Sequence, residues 1–208
     1  MGARDRILES AYDLFSTRGV EKTGISAIVA RAGVAKMSLY QHFRSKDDLV
    51  IAFLKLREQR FTNGWQNEVR RRETSPHARL LAIFDVFDEW FRKSDFEGCS
   101  FINVLLEANI DGPIRQAAGH HLYNIRCFLQ ELAEEAKIID AVSFAYLWHM
   151  MMNGAIVAAQ DGNKNSARLA KIAAEILLKN WEGQSAEDLT QSRSATPAAI
   201  AGDMRTVE

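Results

Sequence analysis

Cysteine is nearly missing from this chain of 208 residues, with only Cys99 and Cys127 present. Two such residues give neither a disulfide framework nor the paired spacing of a structural zinc site, and both are expected to be buried thiols. Proline is scarce too, limited to Pro76, Pro113 and Pro197. Alternating β-branched runs are few, so nearly every periodic segment reads as helix. Long apolar runs are absent. Ala145–Met152 contains His149 and stops at Asn153, well short of the roughly 20 residues that cross a bilayer. Arg4, Asp5, Arg6 and Glu9 interrupt any leader-like stretch near the amino terminus. No membrane span and no signal peptide are expected, and the cytosol is the expected compartment. No cofactor or metal motif stands out.

Net charge is also close to absent, at −1, but it is unevenly spread. Through residue 73 there are 14 Lys and Arg against 9 Asp and Glu; beyond it there are 12 against 18. A basic amino-terminal module on an acidic body suits a protein that meets phosphates at one end only. With 47% hydrophobic residues the chain can also build a substantial core.

The periodicity predicts an all-α chain. Ile7, Leu8, Ala11, Leu14 and Phe15 fall on one face of a first helix, with Gly19 at its stop. A short helix over 25–32, a break at Gly33-Val34 and another short helix over 35–43 follow, the pattern of a helix-turn-helix. Ser45, with Asp47 and Asp48 behind it, signals the start of a long helix from Lys46 to Glu73. Later helices are expected from Pro76 to Lys93, Cys99 to Ala108, Pro113 to Lys137, Asp140 to Gln160 and Ser166 to Trp181. The expected organisation is a three-helix helix-turn-helix domain over 1–49, a larger helical domain over 50–182, and a disordered Ser-, Thr-, Ala- and Gln-rich tail over 183–208.

The chemistry concentrates between Gly33 and Leu49. Val34, Leu39, Phe43 and Leu49 are spaced to point inward, which leaves Lys36, Met37, Ser38, Tyr40, Gln41 and His42 as a polar and cationic surface that a major groove accepts. Lys36 and Gln41 can donate to base edges, Met37 can touch a thymine methyl, and Ser38 can bond to base or phosphate. Tyr40 and His42 are placed as phosphate donors, as is Lys46 beside free helix-terminal amides. The stretch Ile7–Leu49 resembles the DNA-binding region of the TetR family of repressors. The resemblance runs through Ile7-Leu8-Glu9-Ser10-Ala11, Leu14-Phe15, Gly19, Thr23, Ile28, Ala32-Gly33-Val34, Leu39-Tyr40, His42-Phe43, Ser45-Lys46 and Leu49. It implies DNA contacts at Thr23 besides those named. Gly24 and Ala35 depart from the family pattern, because they replace side chains that often cap the second and third helices. The missing acceptor at Ala35 costs on the order of 1 kcal/mol of helix-start stability.

The same resemblance implies a carboxy-terminal domain that dimerises and holds a small-molecule pocket. Apolar residues from Phe144 to Ala158 and from Leu169 to Trp181, with small Gly154, Ala155, Ala158 and Ala159, suit a homodimeric four-helix bundle built from the last two helices. Between these regions lie Trp65, Phe87, Trp90 and Tyr123, with polar Asn103 and Glu107, as expected lining for a hydrophobic or aromatic effector. Cys99 is included because the run Phe96–Asn103 with Glu107 is similar to a phrase of one branch of the family. Arg70-Arg71-Arg72 ends a helix, where cations suit the dipole, and is read as a solvated turn. The expected function is a homodimeric repressor of a palindromic operator, released by the effector. An activating or architectural DNA binder without such a switch is the alternative. An enzyme built on Cys99 with His120 or His121 is not expected, since nothing brings them together, and adjacent residues on a helix point about 100° apart, which is poor for a shared metal.

Overall fold

The computed structural model describes residues 2–109 and 112–182; the tail expected beyond residue 182 lies outside the described residues. Every regular element among them is helical. α1 (Ala3–Arg18), α2 (Ile25–Ala32) and α3 (Lys36–His42) form a compact trio on α4 (Lys46–Arg57). α4 runs through a π-helical turn at Glu58–Thr62 into α5 (Asn63–Arg72). The larger body adds α6 (Pro76–Phe91), α7 (Ser100–Glu107), α8 (Pro113–Glu135), α9 (Ala141–Gln160) and α10 (Ser166–Glu182).

The helix boundaries have local causes. α1 stops where Gly19 takes a φ of 82° and its N–H closes onto the Phe15 carbonyl. α2 stops at Gly33, in the left-handed region at φ 62° and ψ 43°, and the Val34 N–H folds back to the Val29 carbonyl at 3.2 Å. Open space surrounds Gly33, so the backbone angle rather than packing calls for glycine there. At the start of α4 the Ser45 hydroxyl accepts from the Asp48 N–H at 3.1 Å, and the Asp48 carboxylate accepts from the Arg44 N–H at 3.2 Å. The Ser45 cap is the start signal read in the sequence, and the return bond from Asp48 completes it. Gly24 and Ala35 precede α2 and α3 with no side-chain cap, as their chemistry requires.

Two apolar clusters organise the interior. The first joins Ile7 and Phe15 of α1, Ile28 of α2, Leu39 of α3 and Phe53 of α4 with Phe101 and Val104 of α7. The second joins Trp65, Phe84, Phe91, Leu129, Phe144 and Trp148 of the body. Each such fully buried side chain contributes roughly 1.5–3 kcal/mol of burial free energy. Residue 49 falls inside α4, and the first cluster continues to Phe53 and Leu54, so one helix is common to both parts of the molecule.

α10 is fastened to α6 by Lys171 on Asp85 at 2.8 Å and Arg168 on Asp88 at 3.1 Å. The Arg70-Arg71-Arg72 run is fully engaged with glutamates: Arg70 with Glu131 and Glu135, Arg71 with Glu68, and Arg72 with Glu68 and Glu89. α9 is long and apolar enough, by length and composition, to cross a membrane, a feature the broken apolar run had concealed. Its Phe144, Trp148 and Met152 instead pack into the second cluster.

Candidate nucleic-acid interface and cavity

α3 is short, so its position depends on its inward side chains. Leu39 is fully buried and Phe43 nearly so, and both belong to the cluster that holds the helix on α1 and α2. At 100° per residue the opposite crest carries Met37 and Gln41, with Lys36 and Tyr40 on one flank and Ser38 and His42 on the other. Met37 is 71% exposed, and Lys36, Tyr40, Gln41 and His42 are exposed as well, while Ser38 is half-buried. No carboxylate interrupts this face. An apolar side chain as open as Met37, set among donors, is poorly placed for solvent and well placed for a groove that offers both methyls and acceptors.

Two residues expected on this surface make contacts within the scaffold. Thr23 is 1% exposed, and its hydroxyl donates to the Gly19 carbonyl at 2.7 Å and to the Leu14 carbonyl at 3.3 Å. It neither lies on the exposed α3 face nor caps α2, because its one proton is drawn inward to carbonyls at the end of α1. Lys46 is half-buried and donates to the Val20 carbonyl at 2.7 Å, clasping the loop before α2 to the start of α4. Its ammonium is therefore fixed rather than standing free beside the helix amides. Arg44, which sequence reasoning passed over, is exposed beside His42.

In the body, the π-helical turn and α5 to α9 enclose a cavity of about 40 Å³. The structure brings together Trp65, Phe87, Trp90 and Cys99 on its wall, four of the seven residues expected for an effector site. Trp65 meets Phe87 edge-on at 5.6 Å, and Phe61 lies 4.6 Å from Trp90. The other three expected residues lie elsewhere. Asn103 and Glu107 point into an open cleft between α7 and the end of α1, together with Arg18, Gly19 and Lys22. Tyr123 stands 55% exposed on the outer side of α8, under the Arg126 guanidinium. Their polar or amphipathic side chains lie on helix faces turned away from the aromatic interior.

The cavity's polar groups were largely missed in the sequence. Arg57, Ser100, His121, His149 and Asn153 join the wall. Burial holds His149 down to about 4 and also pushes His121 below its ordinary value, so both rings are neutral at pH 7. His121 stacks on Phe101 at 3.3 Å, with its Nδ1 3.2 Å from Glu58 but not aligned for a hydrogen bond. Burial pushes the Cys99 thiol up, which keeps it protonated and unreactive. The only sequence signal for His149 was a polar residue within an apolar helix face. For Arg57 there was none.

A sequence model described as bacterial regulatory proteins, tetR family, matches residues 7–53. The transcriptional activator FasR of Mycolicibacterium smegmatis is 34% identical over 99 residues, covering 48% of this chain and 44% of that protein. The transcriptional repressor KstR2 of the same organism is 33% identical over 82 residues, covering 39% of each. The match thus spans less than half the length of these curated relatives. Among solved structures, SCO4454, a TetR-family transcriptional regulator from Streptomyces coelicolor, aligns with a TM-score of 0.78 at 25% identity, covering 86% of this chain and 95% of that one. Residues 7–53 thus match the DNA-binding segment of the tetR family, and the chain as a whole is similar in fold to a regulator of that family.

Proposed function

We propose that the protein is a homodimeric repressor that grips a palindromic operator with two α3 helices and lets go when a small apolar or aromatic effector enters the cavity. The exposed, carboxylate-free face of α3 is the observation that carries this reading. Lys36 and Gln41 address base edges, Met37 a thymine methyl, Ser38 base or phosphate, and Tyr40 and His42 phosphates. Lys46 acts mainly by holding the module together.

One recognition helix of seven residues reads too little DNA to be selective, and pairing two across a symmetry axis doubles the sequence read. An exposed apolar surface supports that pairing. Tyr146, Met150 and Val157 of α9 and Leu169, Ile172 and Ile176 of α10 form an apolar stripe that stays exposed in the single chain. Such a stripe on a soluble fold calls for a partner, and a second copy of the same two helices is self-complementary. Residues 1–49 then act as the DNA-reading unit, with 50–182 as the effector and dimer unit and α4 linking them.

The test is to select bound sites from random DNA with the purified protein, footprint them, and add a metabolite fraction from the source cells. A protected palindrome that is released by the fraction is expected, together with a rise in expression of the adjacent gene when the regulator is deleted. Sequence-independent coating would overturn the reading. A fall in expression on deletion would instead make it an activator, the role that FasR's name carries.

A further inference from the structure

Among the described residues, the only full charge on the cavity wall belongs to Arg57, since neither Asp nor Glu lines it and both histidines are neutral at pH 7. Farther along the same helical rod, Arg60 pairs with Glu9, Arg70 with Glu131, and Arg72 with Glu89. Arg57 has no ion pair among the described residues. One of its N–H groups donates to the Tyr12 hydroxyl of α1 at 3.0 Å, and its guanidinium lies 4.8 Å from the centre of the Phe61 ring. Glu97 acts on it from beyond ion-pair distance and from outside the wall. A half-buried guanidinium with most of its five donors unspent, facing an apolar hollow, is an anion receptor.

Beside it stand Phe61, Trp65, Phe87 and Trp90, with neighbouring ring centres 4.6 to 5.6 Å apart. We propose that this site takes a monoanionic aromatic carboxylate, its ring among these four side chains and its carboxylate on Arg57, and that seating it draws Arg57 away from Tyr12. The inference rests on the reading that an effector enters this cavity. The guanidinium fork matches the two oxygens of a carboxylate. A single charge fits better than a phosphate dianion, whose second charge would stay buried without a partner.

The coupling follows from size. A void of about 40 Å³ holds roughly three waters, less than one aromatic ring. The ligand must therefore displace wall, and Arg57 and Phe61, half-buried like Cys99, Ser100, Leu122 and Asn153 of the same wall, flank and lie on the π-helical turn beside the rings. Tyr12 is also packed edge-on against Phe53 of α4, so freeing its hydroxyl loosens α1 of the DNA-reading unit from the rod beneath it.

The probes are 2-naphthoate, its neutral isostere 2-naphthamide, and decanoate, titrated into the full chain by calorimetry and by quenching of tryptophan fluorescence. The expected result is naphthoate binding at least about tenfold tighter than either of the others, and an Arg57→Met variant that loses that preference while its affinity for the amide is little changed. Tyr12→Phe removes the competitor for Arg57 and is expected to tighten naphthoate several-fold while weakening its effect on operator binding. Equal affinity for acid and amide, tighter binding of decanoate, or a preference untouched by Arg57→Met would overturn the ligand class. Unchanged affinity in Tyr12→Phe would overturn the coupling. Should Arg57→Met fail to fold, the acid-against-amide comparison in the unmodified protein decides alone. Operator release by a metabolite fraction with no selective naphthoate binding would sink this inference and leave the repressor reading standing. Selective naphthoate binding by a protein that no metabolite releases from DNA would do the reverse.

Discussion

His149 shows what a single buried ring costs. It lies among Trp148, Met152 and Ile156 on the inner side of α9, and the Arg126 charge, joined by His121 once that ring is itself protonated, also opposes protonation. In the unfolded chain the ring titrates near 6.5, whereas in the folded chain it does so near 4. Below about pH 6.5 the unfolded state takes up a proton that the folded state refuses, so stability falls as pH drops towards about 4. The full loss from this group is about 3 kcal/mol. Urea unfolding across that range is expected to show that His149→Gln is the less pH-sensitive of the two proteins. Equal pH slopes would mean that the ring is already charged in the fold. Residue by residue, the inward positions Leu39, Phe43 and Leu49 were legible because helical spacing alone assigns them. Thr23 and Lys46 were not: a donor looks the same in sequence whether it faces a phosphate or a carbonyl of its own fold.

At the scale of elements, α3 is a helix of seven residues without a side-chain cap, too short to persist alone. Its register is imposed by neighbours: by the left-handed turn at Gly33, by Leu39 in the first cluster, and by the loop that Thr23 and Lys46 fasten on either side. Thr23→Val keeps the shape of the side chain and removes only its hydroxyl. It is expected to cost roughly 1 kcal/mol, because the partly buried Gly19 carbonyl and the buried Leu14 carbonyl lose their donor. Chemical denaturation measures that loss, and operator affinity should fall only as far as the folded fraction does. A specific loss of DNA contacts in the fully folded variant would return Thr23 to the DNA surface. Helix positions were readable to within a few residues from capping and periodicity. The π-helical turn at Glu58–Thr62 was not, since an offset of one residue inside a continuous rod barely disturbs the apolar pattern, yet it shapes the cavity wall at Phe61 and Thr62.

At the scale of the whole molecule, the α9 and α10 stripe makes the oligomeric state a testable consequence of the exposed surface. Ile172→Glu with Ile176→Glu places two carboxylates on that stripe without touching the buried side chains of either cluster. Light scattering is expected to report a monomer of 23.4 kDa, with operator affinity reduced about a hundredfold or more as the two recognition helices lose their tether. A double variant that remains dimeric would place the interface elsewhere. By itself the sequence determined the helices, their apolar sides and the outward face of α3, because those are properties of a repeat within one element. Only the tertiary structure decided that Trp65, Phe87, Trp90 and Cys99 meet while Asn103, Glu107 and Tyr123 do not, and that Arg57 joins them. Those outcomes depend on which distant helices cover which faces, and a helix's own periodicity says which side is apolar but not what comes to rest against it.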